Sequence, residues 1–81
     1  MSTFPIVVKL KFPITAAGET ITELSIARRI NGGDLRKTEG MGDVSKGLVL
    51  IGILTGTPPA IVDLLDASDI KSLSDILESF L

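Results

Sequence analysis

The chain contains no cysteine and no histidine. The first absence excludes a disulfide framework, a thiolate metal site and a sulfur nucleophile. The second removes the commonest general base at neutral pH and the commonest metal ligand. Tryptophan and tyrosine are also missing, and only three phenylalanines occur, which leaves little to stack on nucleic-acid bases. There is no basic surplus either: the formal net charge is −2, so the chain has no general attraction to phosphate. The longest apolar run, residues 47–54, is far shorter than the roughly 20 residues a membrane-spanning helix needs. No signal-peptide pattern is visible, since Lys9 falls inside the first apolar run. Together these absences point away from an enzyme, a metal or cofactor site, a nucleic-acid binder and a membrane protein. They point toward a soluble cytoplasmic domain.

What the chain does have is aliphatic surface. Hydrophobic residues make up 44% of it, while aromatic residues make up 4%. Its 81 residues suffice for one small domain. A domain of that size buries only about 60–65% of the surface its unfolded chain exposes. Some aliphatic side chains are therefore expected to stay uncovered until a partner covers them.

The hydrophobic pattern predicts an α+β fold, with an N-terminal antiparallel β-hairpin followed by three to four short helices packed in a single small domain. The hairpin is expected over residues 1–30, a Gly-rich flexible linker or short helix over 31–47, and an apolar helical part over 48–81. Residues 4–12 read as the first strand, with Val8, Leu10 and Phe12 on one face, Lys9 and Lys11 on the other, and Pro5 and Pro13 as brackets. Ala16-Ala17-Gly18-Glu19 reads as the turn, and residues 20–28 as the second strand. Asn31-Gly32-Gly33-Asp34 breaks the chain, and Asp34 is a candidate cap for a short helix to residue 39.

Asp43 is a candidate N-cap for residues 44–55, and Gly56 a stop. Periodicity leaves this segment open between a helix and a buried strand. Its length and end signals favour a helix, apolar nearly all round and buried on most sides. Thr57-Pro58-Pro59 reads as the start of a short helix over residues 59–65. Asp66 reads as the cap of a last helix, 67–80, with Ile70, Leu73, Leu77 and Phe80 along one face.

Charge is uneven. Residues 1–46 carry a net charge of +2 and residues 47–81 a net charge of −4. The acidic, apolar second part suits a docking surface for an apolar, somewhat basic helical partner, or a solvated helix face over a core. The candidate chemistry is thin. Gly40-Met41-Gly42-Asp43-Val44-Ser45 lacks a leading strand and its third glycine, and Lys46 precedes Gly47 instead of following it as a phosphate loop requires. Ser45 and Lys46 are adjacent and diverge on a helix. Asp63, Asp66 and Asp69 are spaced to gather a hard cation but also to start helices. Arg28-Arg29 offers a phosphate or carboxylate grip but has no aromatic or basic helix beside it.

The order of several short motifs resembles the tail assembly chaperones of Mu-like contractile-tailed phages and prophages. The resemblance covers nearly the whole chain and is carried by Leu10-Lys11-Phe12-Pro13-Ile14-Thr15, Gly18-Glu19-Thr20-Ile21-Thr22-Glu23-Leu24, Arg28-Arg29 and Gly33-Asp34-Leu35. The most characteristic part is Leu54-Thr55-Gly56-Thr57-Pro58-Pro59, followed by Leu64-Leu65-Asp66, Asp69 and Phe80-Leu81. Ile30 departs from the pattern, which has a proline after the arginine pair, and this leaves the exit from the second strand open. The resemblance implies a non-catalytic protein of the bacterial host cytoplasm that is absent from the finished virion. It implies binding to the tape measure protein, solubilisation of that protein, and help to the tail tube protein in assembling around it. Self-association, and a longer form made by programmed frameshift, belong to the same expectation.

The residues expected to supply the core and the partner surface between them are Leu48, Ile51, Leu54, Ile61, Leu65, Leu73, Leu77 and Phe80. Competing readings are a small structural tail or baseplate component and, further off, a small regulatory DNA-binding protein. The last helix carries Lys71 as its only cation, which argues against DNA.

Overall fold

A computed structural model describes residues 4–80 of the chain. The elements are β1 (Ile6–Ala16), β2 (Glu19–Ile26), α1 (Gly32–Lys37), α2 (Asp43–Thr55), α3 (Pro59–Val62) and α4 (Ala67–Glu78). An antiparallel hairpin is followed by four helices, as the pattern predicts.

Ile6 stands opposite Ile26, Val8 opposite Leu24 and Ala16 opposite Glu19. Ala17 and Gly18 make the turn, both at positive φ, 52° and 79°. Two such residues in succession give a turn whose twist matches the flanking strands. Glycine adopts this conformation freely, whereas Ala17 does so at a cost of about 1 kcal/mol.

β1 runs past Pro13 to Ala16, so this proline does not end the strand as expected. The reason is a break in register. Between the pairs Lys9–Glu23 and Ile14–Ile21, four residues of β1 face Thr22 alone. A proline in such a bulge interrupts no regular ladder bond. The bulge also turns Phe12 away from the inner face, where the sequence pattern placed it, and leaves it 51% exposed. Inside the bulge the amides of Lys11 and Phe12 donate to the carboxylate of Asp69, at 2.8 and 3.1 Å. Asp69 lies in the first turn of α4 and is buried, so one carboxylate joins the hairpin to the last helix.

The helix ends show local chemistry and several corrections: Asn31 takes the capping place expected of Asp34, α1 ends at Lys37 before the expected residue 39, and α4 ends at Glu78 before the expected residue 80. Asn31 caps α1, and Asp34 is its reciprocal partner: the Asn31 side chain accepts from the Asp34 amide, and the Asp34 carboxylate accepts from the Asn31 amide. α2 starts at Asp43, after Gly42, and no side chain caps it. Asp43 instead lies in the first turn, where a carboxylate meets the positive end of the helix dipole. Gly56 ends α2 in the left-handed conformation, φ 67°, and the amides of Gly56 and Thr57 both donate to the Gly52 carbonyl. α3 stops at Val62, three residues short of the expected end. Asp66 caps α4 as predicted, accepting from the Ser68 amide and hydroxyl at 2.9 and 2.7 Å, which holds its carboxyl below the ordinary value.

The core lies between the hairpin and the helices. Leu10, Leu24 and Ile26 come from the strands; Leu50, Ile51 and Leu54 from α2; Val62 and Leu65 from α3 and the turn after it; Leu73 and Leu77 from α4. β2 ends at Ile26, and the Ala27 amide then donates to the Leu54 carbonyl at 2.9 Å, fixing the strand exit to the end of α2. Ile30 packs against the core on the way to α1.

α2 is the central helix, in contact with β2, α3 and α4. It is nevertheless not buried on most sides, contrary to expectation: Val44 is 76% exposed, and Leu48, Val49 and Ile53 are only half-buried. Hairpin and α4 cover one face, and α3 is too short to cover the other. Among the described residues, no helix is long and apolar enough to cross a membrane.

Candidate functional site

The incomplete cover over α2 leaves a groove. Along the helix, Ser45, Leu48, Val49, Gly52 and Ile53 recur at spacings of three and four, which places them on one face. Pro59, Val62 and Asp63 of the α3 segment form the opposite wall, and the space between holds about 360 Å³. Gly52 forms part of the floor. A Cβ there would lie 2.9 Å from the Thr57 carbonyl oxygen and 3.5 Å from Val62 Cγ2, so the lack of a side chain is what lets the loop to α3 close against α2.

The groove is poor in polar chemistry. At one end Thr55 Oγ1 donates to the Ile51 carbonyl at 2.6 Å, and Thr57 Oγ1 lies 2.7 Å from Thr55 Oγ1. With the Thr55 proton committed to Ile51, Thr57 supplies the second bond, so both hydroxyls are used internally. Asp63 is the only ionisable residue in the lining, and among the described residues its carboxylate has no ion pair or hydrogen bond. A small-molecule site of this volume needs several convergent polar groups to fix orientation. This groove offers aliphatic walls, the Ser45 hydroxyl at one end and one carboxylate.

The structure divides the residues singled out from the sequence. Ile51, Leu54, Leu65, Leu73 and Leu77 are buried, between 0% and 7% exposed. Leu48 both packs against the core and lines the groove. Ile61 is half-buried on α3. Phe80 sits elsewhere, its ring 5.0 Å from that of Phe4 and its carbonyl accepting from Arg29 at 2.9 Å. Val49, Gly52, Ile53, Pro59 and Val62 were not singled out. Their signal was present in the spacing, but an α2 with no polar face gives no cue to which side is covered.

The other candidates are occupied with structural work. Arg28 grips Asp34 through two bonds, 2.6 and 3.0 Å, and this pairing, with the Asn31 amide second, holds the Asp34 carboxyl down at about 2. Arg29 is engaged at Phe80, its guanidinium 5.6 Å from the ring centre. Asp66 and Asp69 are a cap and a strand anchor, and no metal-type cluster of three exists among the described residues. Ser45 lines the groove while Lys46 borders two other depressions, so the pair diverges. Lys71 of α4 is paired with Asp75 at 3.3 Å.

The family model described as phage tail assembly chaperone proteins, E, or 41 or 14, matches residues 7–81. The chain belongs to this family. No curated protein and no solved structure matches it. As a phage tail assembly chaperone it acts in building the tail, among tail proteins, and the α2–α3 groove is an open, largely aliphatic concavity on its surface.

Proposed function

We propose that this tail assembly chaperone binds the tape measure protein of its phage or prophage, keeps that long apolar protein soluble, and promotes assembly of the tail tube protein around it, without catalysis. The observation that supports this reading is the groove between α2 and α3, walled by Leu48, Val49, Ile53, Pro59 and Val62 and left open on a folded domain. Uncovered aliphatic side chains at helical spacing are what a holdase needs. Each one that a partner covers contributes about 1 kcal/mol without demanding strict geometry. Affinity per copy is then modest and reversible, as coating followed by displacement requires. Of the residues expected at the partner surface, Leu48 lines the groove and supports the reading, whereas Ile61 is half-buried on α3 outside the lining and the leucines at 54, 65, 73 and 77 are buried.

The test is co-expression with the tape measure protein and recovery of the soluble complex. Expected is a tape measure protein that is insoluble alone and soluble with this chain. Ile53→Asp and Val49→Asp should leave the chain folded by circular dichroism and abolish recovery. A tape measure protein that stays insoluble beside the wild-type chain overturns the reading. Retention of the chain in purified virions would point instead to a structural tail component.

A further inference from the structure

The groove also restricts the conformation and charge of what enters it. Its walls are side chains of two helices, and beyond the uncapped first turn the amides of α2 are engaged within the helix, while the Gly52 carbonyl accepts from Gly56 and Thr57. Of the two hydroxyl and carboxyl groups that line the space beyond Ser45, Thr57 is bonded to Thr55 and Asp63 remains. A strand laid into this groove would bury most of its own N–H and C=O groups against aliphatic walls, with only Ser45 and Asp63 at hand to bond them, at a cost of 1–3 kcal/mol or so for each one left unpaired. A helix arrives with those groups already paired. The face from Ser45 to Ile53 is about 12 Å long, enough for about two turns of a helical occupant.

The charge is equally one-sided. Asp63 stands unpaired at the rim, the segment 47–81 carries a net −4, and its single cation, Lys71, is committed to Asp75. An acidic partner would be repelled, and a basic group beside the apolar stripe would find a counter-charge at Asp63.

We infer that the occupant of the α2–α3 groove is an amphipathic helix with aliphatic side chains at positions i, i+3 or i+4, and i+7, and a lysine or arginine flanking that stripe to meet Asp63. This rests on the proposed function above and specifies which segments of the tape measure protein the chain takes. Asp63 is then a specificity residue, and the aliphatic walls supply the affinity.

The experiment uses the full chain and overlapping peptides of about 20 residues tiling the tape measure protein, a length of about 30 Å when helical. Binding is read by fluorescence anisotropy at several salt concentrations, and helicity by circular dichroism. Expected is that binding peptides gain helical signal and share the aliphatic stripe with a flanking cation. Asp63→Asn should weaken them about two- to fivefold and flatten the salt dependence, as loss of a rim charge does. Ile53→Asp should abolish binding. Peptides that bind without gaining helicity would overturn the inference, as would an Asp63→Asn variant with unchanged affinity and salt dependence while Ile53→Asp still abolishes binding. In either case the tape-measure reading survives. Absence of binding by every peptide, together with failed co-purification of the intact tape measure protein, would overturn both.

Discussion

The two long faces of α2 are built from the same aliphatic residues and serve opposite ends. Leu50, Ile51 and Leu54 are 0–7% exposed, covered by the hairpin and α4, whereas Val49 and Ile53 are half-buried and Val44 is 76% exposed. Composition does not separate the two faces; what packs against each one does. The polar groups follow the same division. On the closed side Asp69 holds two strand amides and Asp34 holds Arg28 and the Asn31 amide, and no described buried side-chain polar atom lacks a partner. On the open side Asp63 has no partner within the described chain. A face that is complete contributes stability, and a face that is incomplete in both its apolar and its charged groups remains available for a partner.

Substitutions can break this contrast directly. The largest difference is expected between Ile51→Ala and Val44→Ser on the same helix. The first leaves a cavity in the core and should cost about 3 kcal/mol. The second changes a side chain that touches little and should stay within about 0.5 kcal/mol. Urea denaturation of the two variants checks the pair, and similar losses in both would mean that the outer face is packed after all.

A smaller effect is expected where the closed side is held by a hydrogen-bonded carboxylate. Asp69→Ala strands the amides of Lys11 and Phe12 and should cost about 2 kcal/mol. Amide hydrogen exchange should accelerate at Lys11 and Phe12 well before it does at Ile26. Uniform acceleration along the hairpin would instead mark global unfolding.

The smallest effect is confined to acid. The folded-state pKa of Asp34, about 2, lies below its ordinary 3.8, so the stability it supplies is complete above about pH 4 and is lost as pH falls through 2. The Asp34→Asn variant should therefore lack that part of the acid dependence. Parallel acid-unfolding curves for wild type and variant would show that the Arg28 pairing adds nothing.

Much of the local structure was legible in the chain. The Ala17-Gly18 turn, the Asp66 cap, the Gly56 stop and the inward Leu73 and Leu77 all follow from residues within a few positions of one another. The choice of Asn31 over Asp34 as cap was harder, because both side chains can accept an amide and the two act as a reciprocal pair. The bulge at residues 10–13 and its anchoring by Asp69 were not legible, since the contact joins positions 57 and 58 apart. Nor was the groove, since every residue from 47 to 54 is apolar or glycine and none indicates a side.

The sequence by itself determined the class of molecule: an α+β chain with aliphatic surface to spare, no catalytic cysteine or histidine, and helix ends encoded by Asp, Gly and Pro, because these depend on composition and on forces acting over one or two turns. Only the tertiary structure decided which aliphatic residues are core and which remain open. That depends on how far each neighbouring element extends, and α3, at four residues, is too short to cover the outer face of α2.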